Sequence, residues 1–157
     1  MSEILSIQFK DTHPIVPETR RIGELGERLA AEFLMRNGYQ LVAANFKIPI
    51  GRNRVGAQIS GEIDLIALDA DVLCFVEVKT RSSDAFAAPL AAVDLRKQRQ
   101  IIRTARMYRK TFRLEQIKFR YDVVSIVLQK TEKPKIEIVK NFWNEDKFRR
   151  KSWMEDF

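Results

Sequence analysis

Three residues of this chain carry charge where a plain core strand would carry none: Asp64, Glu77 and Lys79. In residues 61–79, GEIDLIALDADVLCFVEVK, apolar runs at 63–68 and 72–78 flank Asp69-Ala70-Asp71. That pattern predicts a β-hairpin turning near Ala70. A turn centred between Ala70 and Asp71 sets Asp64 directly across from Glu77, on the same face of the sheet, where like charges repel. Lys79 lies two residues beyond Glu77, shares its face and offers one cation. A divalent ion is a better answer, because hard oxygen ligands held close together suit Mg²⁺ or Mn²⁺. The bland alternative is a salt-bridge cluster on a wet sheet face. Leu73 and Phe75 argue against it: they share the face of Glu77, so this carboxylate ends an apolar row and needs a partner.

The elements that must position these residues are readable on either side. Residues 20–36 have helical spacing, with Ile22, Leu25, Leu29 and Phe33 on one stripe and Asn37-Gly38 as a stop. At about 100° per residue Glu24 falls opposite the stripe and Glu27 at its edge, so Glu27 is the carboxylate able to face the sheet. Residues 39–43 read as a first strand. Residues 46–60 read as a long basic link containing Lys47, Arg52 and Arg54, which can follow a phosphate backbone. Residues 80–88 read as a loop that holds Arg81 near the site, and 89–93 as a helical turn.

Asp94 is a good N-cap for a helix ending near Lys110 or Thr111. Lys97, Ile101, Ala105 and Tyr108 share one face of it, while Arg96, Arg99, Arg103, Arg106 and Lys110 line another. That basic row is either a solvated face or a set of phosphate contacts. Lys97 stands out, because a cation in the first turn opposes the helix dipole. A locally unfavourable position points to a use elsewhere, at a phosphate or at the acidic pair. Residues 117–128 read as a central strand and 136–139 as an edge strand.

The domain plan is an N-terminal arm at 1–19, a central domain at 20–140 and an aromatic, charged tail at 141–157. The tail can pack back on the domain, pair two subunits or meet another protein. With 157 residues the chain is long enough for one domain with a real core. Its net charge of +7 and pI near 9.7 make nucleic acid the first partner to consider and an anionic membrane surface the second. The single histidine, His13, sits beside proline in the arm, so no Ser-His or Cys-His machinery is expected. Cys74 lies among apolar residues and reads as core. No signal peptide or membrane-spanning stretch is evident, which gives a cytoplasmic expectation.

The order of parts resembles the PD-(D/E)xK nuclease superfamily, and the wording of the motifs resembles one branch of it, the uncharacterised bacterial YraN-like family. The residues that carry the likeness are Gly26-Glu27, Ala30-Ala31, Asn45, GEIDLI at 61–66, FVEVKTR at 75–81, Lys97 and YDVV at 121–124. That family is similar in turn to Holliday junction resolvases. The resemblance implies an α/β, restriction-endonuclease-like core: a mixed central sheet flanked by helices, with the Asp and Glu-x-Lys hairpin at its centre. It implies metal ligation by Asp64 and Glu77 with the Val78 carbonyl, Lys79 orienting or activating water, and Glu27 completing the acidic cluster.

The function these readings lead to is a Mg²⁺- or Mn²⁺-dependent endonuclease acting on DNA, including branched DNA such as Holliday junctions. Arg81, Lys97, Arg52, Arg54, Arg96, Arg99 and Arg103 would supply phosphate contacts. A junction has two-fold symmetry, so a homodimer is expected, and no small-molecule substrate is. The rival is a non-catalytic module that binds nucleic acid or a protein on the same fold. Nothing in the sequence separates DNA from RNA.

Overall fold

The computed structural model describes residues 16–83 and 93–148. The arm's His13, residues 89–92 of the turn expected at 89–93 and the end of the tail lie outside the described residues. The helix α1 (Glu18–Arg36) buries Gly26, Ala30 and Leu34. It ends in a Schellman pair: the Tyr39 N–H donates to the Leu34 carbonyl at 3.0 Å and the Gly38 N–H to the Met35 carbonyl at 3.2 Å. Beyond it come β1 (Gln40–Arg52), β2 (Gln58–Asp69), β3 (Val72–Ser82), α2 (Leu95–Thr111), β4 (Phe119–Leu128) and β5 (Lys135–Trp143). The strands form one sheet in the order β1-β2-β3-β4-β5. Among the described residues only β3 and β4 pair in parallel, and α2 is the crossover between them.

Both faces of this sheet are covered, and the alternation along β3 shows why its sequence is apolar throughout. Leu73 and Phe75 join Ile101, Ala105, Tyr108 and Tyr121 under α2. Cys74 and Val76 join Ala30, Leu34, Val124 and Ile126 under α1. A strand buried on two sides cannot show a polar face. Each helix approaches the sheet through a glycine. A Cβ on Gly26 of α1 would overlap Thr80 Oγ1 of β3, and one on Gly61 of β2 would overlap Thr104 Oγ1 of α2. α2 begins as expected, with the Asp94 side chain accepting from the Lys97 N–H at 2.8 Å.

The stretch at 46–60 is not a link. β1 runs on through it to Arg52, and β2 returns from Gln58. The turn between them is closed by the Asn53 N–H donating to the Ala57 carbonyl at 2.9 Å. Pro49 and Gly51 argue against a central strand, but β1 is an edge of the sheet, where proline is tolerated. The register shifts between Pro49 and Gly51, so a bulge absorbs both residues. β3 likewise reaches Ser82, which places Thr80 and Arg81 on a strand and not in a loop. β5 continues past the boundary drawn at residue 140, and Trp143 is buried against Tyr121 with ring centroids 5.1 Å apart. The described part of the tail therefore packs back on the domain.

At the turn end of the hairpin, Arg120 ties the sheet together. It donates to both oxygens of buried Asp122 at 2.9 and 3.0 Å, to Asp69 at 2.7 Å and to the Tyr39 hydroxyl at 3.1 Å. Asp122 also accepts from the Asn141 N–H at 2.8 Å. Every oxygen of Asp122 is thus engaged by the protein itself, and the residue is structural.

Candidate active site

The β2–β3 ladder runs from Asp69 opposite Val72 to Leu65 opposite Val76 and stops there. Asp64 and Glu77 would be the next pair. Instead Asp64 Oδ2 accepts from the backbone N–H of Val78 at 2.8 Å. The two strands part at this point: β2 stays with β1, and β3 stays with β4. The acidic residues stand at the fork.

Glu77 is only 3% exposed. Its Oε1 lies 3.4 Å from Lys79 Nζ and 3.9 Å from Lys97 Nζ, while its Oε2 is buried and has no hydrogen-bond partner among the described residues. Burial pushes the Glu77 carboxyl up to about 7, the charge of Asp64 adds to the rise, and the Lys97 and Lys79 ammonium groups oppose it. The cation that was out of place in the first turn of α2 thus reaches the acidic pair.

α1 supplies the other wall. Thr19, Ile22, Gly23 and Glu27 face Asp64, Glu77 and Lys79 across a cavity of about 270 Å³. Glu27 is half-buried there, and its carboxyl is raised by burial and by the charge of Asp64, against a hydrogen bond from Asn45 that lowers it. Glu24 is exposed and paired with Arg20 at 3.1 Å.

The structure brings Asp64, Glu77, Lys79 and Lys97 together and sets Glu27 on the same cavity. Among the described residues, no group of three His, Cys, Asp or Glu side chains gathers as a metal-holding set. The donor chemistry of the pair nevertheless suits a hard divalent cation, because one buried carboxylate oxygen, beside a second carboxylate, lacks a partner among the described residues.

The other basic residues do not converge on the cavity. Arg52 and Arg54 are exposed at the β1–β2 turn, where Arg52 donates to the Gly56 carbonyl at 2.8 Å. Arg96 is exposed on α2, and Arg99 lies 5.5 Å from the ring centre of Phe148. Arg103 donates to the Ile50 carbonyl at 2.8 Å, which ties α2 to β1. Arg106 pairs with Glu145 at 2.8 Å. Arg81 is half-buried on β3. The basic row of α2 is therefore partly a set of tertiary contacts.

Sequence reasoning named Asn45 only as part of the family likeness and assigned it no place at the site. It sits in β1 across from Asp64, between the pairs Ala44–Leu65 and Phe46–Ile63, with φ of 50° and its side chain bonded to Glu27. The signals available were its place in the family likeness and its residue type, since asparagine tolerates left-handed backbone.

A mixed five-stranded sheet with flanking helices defines an α/β protein. Residues 26–126 match UPF0102, an uncharacterised protein family, and the chain belongs to that family. It is 38% identical to a UPF0102 protein of Caldanaerobacter subterraneus, over 80% of this chain and 93% of the relative. It is 44% identical to a UPF0102 protein of Symbiobacterium thermophilum, over 69% of this chain and 83% of the relative. The crystal structure of SSO0001 is similar at a TM-score of 0.38 and 14% identity, over 86% of this chain and 57% of that one. A likeness of that size leaves the fold to be read from this chain's own sheet and helices. Among the described residues, no helix is long and apolar enough to cross a membrane.

Proposed function

We propose that this chain is a divalent-metal-dependent endonuclease that hydrolyses DNA phosphodiester bonds, with branched DNA such as a Holliday junction among its substrates. The observation that carries this reading is the buried Glu77 beside Asp64, whose charge adds to the rise that burial gives the Glu77 carboxyl, with Glu77 Oε2 lacking a hydrogen-bond partner among the described residues. Asp64 and Glu77 would hold the cation, with Glu27 at the rim of the same cavity. Bound Mg²⁺ or Mn²⁺ supplies Lewis acidity toward a phosphoryl oxygen and a lowered pKa for water. Lys79 places a positive charge where charge develops on the phosphoryl group, and a buried Glu77 keeps that ammonium aimed inward. Lys97 adds a second cation from the start of α2. Arg81 on β3 and the exposed Arg52, Arg54, Arg96 and Arg99 would contact phosphates without reading sequence.

One observation favours a second reading. Lys79 and Lys97 already lean on the same oxygen of Glu77, so the protein partly neutralises that charge itself. A module that binds nucleic acid without cutting it would need no more than this.

Calorimetry with Mn²⁺, run beside cleavage assays on duplex, single-stranded, flap and four-way DNA and matched RNA, separates the readings. The nuclease reading expects Mn²⁺ binding that disappears in Asp64→Ala/Glu77→Ala, and cleavage of at least one substrate. Metal binding that survives the double substitution removes this site. Binding of DNA with no cleavage in either metal leaves the binding module.

A further inference from the structure

The carboxylate cavity does not end at Glu27. A second cavity, of about 350 Å³, lies beside it between α1 and residues of β1 and β2, and shares Gly23 and Glu27 with the first. Gly23 joins the two. It lies inside α1, where glycine is unfavourable relative to alanine, yet a Cβ built on it meets nothing within 4 Å. The closeness of Thr80 explains Gly26, but no atom of the described residues explains Gly23. Its missing side chain leaves the passage between the two cavities open.

The chemistry of the second cavity limits what enters. Arg20 and Lys47 bring donors, Glu24 and Glu62 bring acceptors, and Asn45 brings both. The ion pairs there are loose: Arg20 and Glu24 side chains are 70% and 61% exposed, and Lys47 stands 3.9 Å from Glu62. Such pairs are weak and their members are free to turn to a ligand. With Glu27 included, acids outnumber bases, so a bare phosphate is a poor occupant. A neutral planar group carrying donors and acceptors on one edge is a good one, and the volume is in the range of small-ligand sites. Asn45 lines this cavity with a φ of 50° inside β1, and its side chain is hydrogen-bonded to Glu27, which both cavities share.

We propose that this second cavity is a nucleotide subsite, which takes an unpaired nucleobase next to the phosphodiester held at Asp64 and Glu77. The inference rests on the DNA-cleaving reading above and sharpens its substrate class: strands with an unpaired nucleotide at the cut, as at a flap, bulge or junction.

The test uses the full-length protein in EDTA and two DNA duplexes, one with a single unpaired 2-aminopurine nucleotide and one fully paired. Wild type is expected to bind the bulged duplex about tenfold more tightly, and to change its fluorescence as the base leaves solvent. Gly23→Leu fills the passage with a good helix former, so it should lose that preference to within about twofold without a lower thermal midpoint. Asn45→Gly, which keeps the left-handed backbone and removes the amide, should weaken the preference where Gly23→Leu does not fold. A wild type that binds both duplexes equally overturns the subsite, as does a folded Gly23→Leu that keeps the preference. Cleavage in Mn²⁺ is scored separately. Cleavage without preference ends the subsite alone, whereas preference without cleavage ends the nuclease reading alone.

Discussion

Asp64 accepts a hydrogen bond from the backbone N–H of Val78 at 2.8 Å, just beyond the last pair of the β2–β3 ladder. One carboxylate oxygen thus substitutes for a ladder bond and anchors the segment that carries Glu77 and Lys79, so Asp64 has a structural role as well as a proposed chemical one. Asparagine can keep the first role, because its amide oxygen also accepts. Asp64→Asn is expected to unfold in urea near the wild-type midpoint while losing Mn²⁺ binding, and activity by at least about a hundredfold. Asp64→Ala should lose the same functions and also about 1–3 kcal/mol, for the stranded N–H. Equal stability losses in the two variants would show that the hydrogen bond contributes nothing.

Glu77 links the site to pH. Its folded pKa, near 7, lies above the unfolded value of about 4.3, so the fold favours the protonated acid. That contribution to stability is fully present below the unfolded value and is lost as pH rises to about 7. Glu77→Gln removes the titration. In EDTA its melting temperature should vary less than that of wild type between about pH 5 and 8, and should exceed it at the upper end by roughly 5 °C. Thermal melts across pH, repeated with Mn²⁺, check this. Mn²⁺ should raise wild type above pH 7 and leave Glu77→Gln where it was.

The two glycine contacts hold the helices on opposite faces of the same sheet. Gly26→Ala sets a methyl group against Thr80, and Gly61→Ala sets one against Thr104. Each should lose about 1–3 kcal/mol in denaturant, as overpacking does. Adding Thr80→Ala to Gly26→Ala removes the nearest atom and should recover part of the loss, whereas the same change should not help Gly61→Ala.

Glu145 holds the end of β5 to α2. Tyr121 donates to it at 2.8 Å, Arg106 at 2.8 Å and Arg109 at 3.4 Å. Burial alone would raise its carboxyl, but the hydrogen bonds from Arg106 and Tyr121 outweigh burial and hold it below the ordinary range. A lowered pKa contributes stability above the unfolded value and loses it as pH falls. Glu145→Gln is therefore expected to destabilise by about 3 kcal/mol at neutral pH, with the difference shrinking toward about pH 3. Denaturant unfolding at the two pH values measures it.

Much of this arrangement was legible beforehand, and each legible part is local. The two-residue turn at Ala70-Asp71 brings Leu65 opposite Val76, so the hairpin register follows from adjacent residues alone. The stripe of α1, its stop at Asn37-Gly38 and the Asp94 cap also depend on neighbours a few positions apart. What failed was long in range. The continuation of β1 through Pro49 and Gly51 depends on its being an edge strand, which sheet order determines.

By itself, the sequence determined which side chains could do chemistry and that Asp64 and Glu77 belong to neighbouring strands, because strand alternation and turn length act over a handful of residues. Only the tertiary structure decided which cations reach Glu77, that Arg103 and Arg106 serve Ile50 and Glu145, and that α1 sets Glu27, Gly23 and Asn45 around one passage. Those outcomes depend on how two helices dock on opposite faces of a sheet, and the residues that meet there are separated by tens of positions along the chain.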